Sequence, residues 1–211
     1  MKHVLLESIT ETEADGYYFG QFKSMDPITL MGTLDDPICL IHRMELERAR
    51  NEGRFKEVYE LVEYQDKAEQ RFGSRSKPAA MAVLIEELAY PTLTLPHHYP
   101  VAYYEELTKL GVKVEIEHGD LFPERWLKST KEIEGCREGA RISEAGFARV
   151  REILSASEIG SDNTLSYKGE VLTCETLRRE IRVATSAVGS GTNSPIAASG
   201  LQAADCHCIG F

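Results

Sequence analysis

Long hydrophobic runs are missing from this chain. No uninterrupted apolar stretch approaches the ~18 residues of a membrane-spanning helix, so no membrane partner is expected. Basic charge is scarce: 24 Lys and Arg face 34 Asp and Glu, a formal net charge of -10. A nucleic-acid-binding protein needs the opposite balance on its contact surface. Pro (8) and Gly (16) are too few among 211 residues for collagen-like or low-complexity classes. Cysteine is sparse and unpatterned, since Cys39, Cys136, Cys174, Cys206 and Cys208 form an odd, scattered set. The first residues lack a signal peptide, because a short apolar run is followed at once by acids. These absences together predict a reducing, cytoplasmic location and free thiols.

What is present suits a folded soluble protein. Apolar residues make up 42% and charged residues 27%, enough apolar material for a core. The acidity is uneven: residues 1–127 carry 14 basic and 23 acidic side chains, residues 128–211 carry 10 and 11. That asymmetry points to two modules. In the first, residues 3–9 read as a short apolar segment, and 28–31, Ile38–Ile41 and the aromatic-rich stretch Ala14–Phe22 read as strands. Residues 44–70 read as helical, with Gly53 splitting or kinking them. Ser76-Lys77-Pro78 opens a helix to about Ala89 with Pro just inside its start. Thr92–Leu95 follows as a strand, then a helix from Val101 to Leu110 stopped by Gly111, then the alternating strand Val112–Ile116. This order predicts α/β architecture for residues 1–125.

The second module opens on Ser129-Thr-Lys-Glu132, the pattern of a reciprocal cap. Apolar positions from Ile133 to Leu154 then recur at helical spacing over about 26 residues, roughly 39 Å. Residues 155–169 read as a polar loop, and Thr173 caps a further helix, Cys174–Ala187. Gly189–Ser194 reads as a turn; it lacks the Lys of a phosphate loop and no helix follows it. Pro195–Gly200 reads as a short strand of small residues.

Few residues suggest chemistry by themselves. Cys206-His207-Cys208 is too tightly spaced for tetrahedral zinc, and no second ligand pair accompanies it. His97 and His98 follow a strand, where α/β folds place ligands, but neighbouring side chains there diverge, and a helix-entry loop explains them as well. No Ser–His–acid set can be assembled. His207, the one histidine in the last 90 residues, reads alone as a loop residue.

The second module as a whole says more. Leu127–Ala145 resembles the entry helix of the aminopeptidase P / prolidase / creatinase family, with its Lys-Ser-x-x-Glu-Ile start. Glu175–Ala187 resembles that family's next helix. Pro195-Ile-Ala-Ala-Ser-Gly-Leu-Gln-Ala-Ala-Asp-Cys-His207 resembles its small-residue segment, Ser-Gly-x-Asn and then His. Gln202 stands where Asn is usual, and Cys208 where an aromatic often follows the His. Residues 1–125 have the length and element order of the family's N-terminal domain.

The resemblance implies an α/β, α+β overall, chain: a creatinase-like N-terminal domain (1–126), a mixed sheet flanked by helices, followed by the start of an α+β "pita-bread" peptidase domain (127–211). It implies the N-terminal part of an Xaa-Pro aminopeptidase or prolidase, acting on peptides with proline second and assembling as a homodimer. His207 would bind the scissile peptide or its oxyanion. Two divalent metals, Mn, Co or Zn, are implied for a complete member. Their Asp, Asp, His, Glu and Glu ligands fall beyond the position of His207, so the resemblance assigns no metal ligand here and implies that this chain alone is inactive. A fragment, an interrupted gene product and a complete non-catalytic interaction or dimerisation module of creatinase-like fold all remain open, as does a metal-free creatinase-like amidinohydrolase.

Overall fold

Alternating side chains in the first strands build a sheet with two apolar faces. A computed structural model describes residues 2–189 and 195–210, in two units, Met1–Trp126 and Leu127–Phe211. The first unit runs β1 (Val4–Ser8), α1 (Ala14–Gly20), β2 (Ile28–Gly32), β3 (Pro37–Ile41), α2 (Leu46–Glu52), β4 (Glu57–Glu60), α3 (Leu61–Phe72), α4 (Lys77–Glu87), β5 (Leu93–Pro96), α5 (Val101–Lys109) and β6 (Val114–Glu117). The sheet order is β4-β3-β2-β1-β5-β6. β1, β2 and β3 are successively antiparallel, whereas β4, β5 and β6 join in parallel. The chain is therefore mixed α/β, its mixed sheet flanked by helices as expected.

Period-two alternation assigns the two faces. Leu5, Met31, Ile38 and Leu40 pack with Tyr64 of α3, Ala79–Ile85 of α4 and Leu107 of α5. Val4, Leu6, Leu30, Cys39 and Ile41 pack instead with Phe19, Phe22, Ala49 and Phe122. α4 is apolar nearly all round and buried from Pro78 to Ile85, the pattern of a helix enclosed by protein. Ser76 caps it by accepting from the Ala79 N–H at 3.1 Å, and Gly111, at φ +84°, follows α5 as the turn requires.

Two sequence readings of this unit need correction. Ala14–Phe22 is not a strand; residues 14–20 form α1. Aromatics favour strands locally, but Phe19, Gly16 and Gly20 share a helical face that packs closely on its surroundings. A Cβ on Gly16 would lie 2.1 Å from Ser8 Oγ, and one on Gly20 would lie 2.7 Å from the Phe55 ring. Residues 44–70 are not one interrupted helix, because β4 intervenes and pairs with β3. Its charged sequence Glu-Val-Tyr-Glu masks the strand, and Glu60 at its end caps α3 by accepting from Val62 and Glu63 N–H groups at 3.1 and 3.0 Å.

The α1 contact yields opposite expectations for adjacent residues. Gly16→Ala should cost ~1–3 kcal/mol through overpacking. Ser8 Oγ is buried without a hydrogen-bond partner among the described residues. Ser8→Ala should therefore be neutral or stabilising by up to ~1 kcal/mol. Urea unfolding of both variants checks this, and a strongly destabilised Ser8→Ala protein would contradict it.

The second unit runs α6 (Thr130–Ser155), β7 (Glu158–Ile159), β8 (Leu165–Tyr167), β9 (Glu170–Val171) and α7 (Cys174–Val188). The reciprocal cap of α6 is present: Ser129 Oγ accepts from the Glu132 N–H at 3.3 Å, and Glu132 Oε2 accepts from the Ser129 N–H at 2.8 Å. α6 crosses α7 closely at Gly146, where an added Cβ would sit 3.3 Å from Ile181 and Thr185. Residues 155–169 are not simply a loop, since β7, β8 and β9 form a small antiparallel sheet. Lys168 and Gly169, at φ +53° and +82°, make its tight hairpin turn. Residues 195–199 form no strand, and a 3-10 turn follows at Gly200–Ala204. Small residues there contribute too little side-chain packing to hold an extended segment in a sheet. The Gly189–Ser194 turn reading falls at 190–194 outside the described residues.

Candidate functional site

The second unit holds a cavity of about 710 Å³ between α6, α7 and the 195–199 segment. Ile142, Phe147 and Leu154 line it from α6, and Leu177 and Ile181 from α7. Among the described residues no charged side chain contributes to its wall. The apolar stripe read along α6 is thus only partly covered: Ile153 is buried, whereas Phe147 is 63% exposed.

Beside this cavity the chain forms a loop whose two ends meet on the first turns of α7. At the incoming end, Ser199 Oγ lies 3.8 Å from Cys174 Sγ. At the outgoing end, Gly210 is buried at φ +78°; a Cβ there would lie 2.1 Å from the Ala197 carbonyl oxygen and 2.9 Å from Cys174. Arg178, its side chain 11% exposed, donates to the carbonyls of both Ile209 and Gly210, the latter at 2.6 Å. It also pairs with Glu175 at 3.3 Å. The Glu175 carboxyl is held below the usual range by a backbone N–H, the Thr173 hydroxyl and then the Arg178 charge.

His207 sits near the outgoing end, exposed in a turn. Its backbone N–H donates to Asp205 Oδ1 at 3.0 Å, and the Cys208 backbone N–H donates to the Asp205 carbonyl at 3.1 Å. An imidazole presented this way can offer an N–H or a lone pair to an arriving oxygen or proton. His97 and His98 lie at the end of β5, in the first unit, both exposed, with ring centroids 5.1 Å apart and nearly perpendicular. Cys206 is exposed and Cys208 half-buried. Among the described residues no three His, Cys, Asp or Glu side chains come together as a metal site. No described helix is long and apolar enough to cross a membrane.

Sequence reasoning singled out His207 but missed the Arg178–Gly210 closure beneath it. Arg178 reads as one more charge on an amphipathic helix, and its partners are backbone carbonyls, which no side-chain pattern announces.

No family profile and no curated protein matches the chain. Solved structures do. The X-Pro aminopeptidase from Thermotoga maritima aligns over 100% of this chain and 54% of its own, at 17% identity and a TM-score of 0.72. The Xaa-Pro dipeptidase from Bacillus anthracis aligns over 100% and 52%, at 18% identity and 0.74. The prolidase from Pyrococcus furiosus aligns over 100% and 53%, at 13% identity and 0.68. The likeness is one of fold, and this chain spans about half the length of each of these proteins.

Proposed function

From a fold shared along its whole length with about half of each of three solved Xaa-Pro peptidases, we propose that this chain is the N-terminal part of a peptidase cleaving the bond that precedes proline. Met1–Trp126 is then the creatinase-like domain that shapes the substrate cleft and a homodimer, and Leu127–Phe211 is the start of the catalytic domain. The full-length alignment carries this reading, because it includes the segment that bears His207. A cytoplasmic setting belongs to the same reading, supported by five cysteines outside any disulfide.

The chain's own contribution to the chemistry is His207. Its N–H would donate to the scissile carbonyl and to the oxyanion that replaces it, and donation that strengthens as charge develops lowers the barrier. The described residues do not fit the two metals of a complete family member, so no step here runs through a metal. Those ligands would have to come from further polypeptide.

Two measurements test the reading. The chain alone, given Xaa-Pro peptides with Mn, Co or Zn, should show no turnover above a metal-only control; turnover would mean that the chemistry lies within these residues. In a protein joining this chain to a metal-binding half, His207→Ala should lower kcat/KM by about 10²-fold or more with metal content unchanged. An unchanged kcat/KM would remove His207 from the mechanism.

A further inference from the structure

We infer that Arg178 is the positioning residue for His207, acting through the backbone it grips at Ile209 and Gly210. The inference rests on the functional reading of His207 given above. Residues 200–207 are largely exposed and lie in a 3-10 turn and a bend. A loop with so little burial has few contacts of its own to define a side chain's direction. Its definition comes from closing both ends on one place. Ser199 arrives on Cys174, and Gly210 returns between the same cysteine and the Ala197 carbonyl with no room for a side chain.

Arg178 turns that meeting point into a clasp. Its guanidinium is planar and carries several N–H donors in a fixed fork. One nitrogen serves two consecutive carbonyls, and the Glu175 carboxylate steadies another. The grip lies two and three residues beyond His207. Between grip and His207, the Asp205 turn holds the backbone, because Asp205 accepts from the backbone N–H groups of both His207 and Cys208. The point from which the His207 side chain departs is thereby referred back to α7, a 15-residue helix, rather than to the exposed loop.

The test uses the whole 211-residue chain and reads no turnover. His207 ring resonances, assigned by their loss in His207→Gln, should differ from those of a free peptide spanning residues 205–210. In Arg178→Met they should move to the free-peptide positions, and the Cys208 amide should exchange about tenfold faster. Amides of residues 180–186 in α7 should keep their protection. Arg178→Lys, which keeps a donor and the charge, should recover part of the difference. Gly210→Ala loosens the clasp from the other side and should give the same signature with Arg178 intact. If Arg178→Met unfolds α7, Arg178→Lys and Gly210→Ala decide. Ring positions and loop exchange unmoved in those variants would overturn the inference. Failure of the peptidase reading leaves these spectra unaffected, and only the His207→Ala kinetics would report it.

Discussion

Glu7→Ala and Lys77→Ala should each remove ~3–5 kcal/mol from the stability of the first unit. Glu7 ends the β1 alternation on the face covered by α3, α4 and α5, directly across from Thr29 of β2. Its carboxylate pairs with Lys77, at the start of α4, and accepts from the Thr29 hydroxyl at 2.8 Å. Lys77 also donates to the Pro27 carbonyl at 2.9 Å. The side chains are only 7% and 15% exposed, so water replaces a missing partner poorly. Truncating one member leaves a buried charge uncompensated, and against a domain stability of ~5–15 kcal/mol that is a large fraction. The joint change Glu7→Gln with Lys77→Met should cost less than the two alanine variants summed. Urea unfolding decides. Losses below ~1 kcal/mol for both single variants would mean that solvent reaches the pair.

Alkaline pH should unfold the first unit well before its surface charges account for it. Burial, above all, pushes the Tyr64 hydroxyl up to about 12, aided by its hydrogen bond to Glu87 at 2.7 Å. Burial likewise raises Tyr59, Tyr90, Tyr99 and Tyr103. The Cys39 thiol is also raised, by burial against a smaller lowering effect of Lys77. All are acids neutral in the folded state whose ordinary values are 10.0 for Tyr and 9.0 for Cys. Between those values and the raised ones, the unfolded chain has lost protons that the folded chain still holds. Stability must then fall as pH rises. The decline should begin near pH 9 with Cys39 and steepen above pH 10 with the tyrosines. Tyr99→Phe, which loses only a 3.6 Å contact to Met81 Sδ, should make it shallower. A stability flat from pH 8 to 11 would show that these groups ionise equally well in the folded protein.

Elements whose cause is local were legible in the sequence. Ile38–Ile41 is a buried run of strand length, Ser76 and Pro78 announce α4, and Ser129 with Glu132 announces α6. Each depends on residues within a turn of one another, so a pattern suffices. The misread elements depend on distant partners. α1 is helical because Gly16 and Gly20 admit Ser8 and Phe55 against its backbone, which outweighs the strand preference of its aromatics. β4 exists because β3 offers an open edge to Glu-Val-Tyr-Glu. The Lys168-Gly169 turn was a signal available for the small sheet, but two-residue strands are too short for periodicity to register.

The same division runs through the candidate site. His207 could be singled out only through the family that its sequence neighbourhood resembles. The uncharged cavity between α6 and α7, and the closure of Arg178 and Gly210 under the His207 loop, were decided only by the tertiary structure. The closure depends on backbone carbonyls and on the space a missing Cβ leaves. Neither is encoded in the type of any one residue. Each arises when segments distant in the chain arrive at the same point.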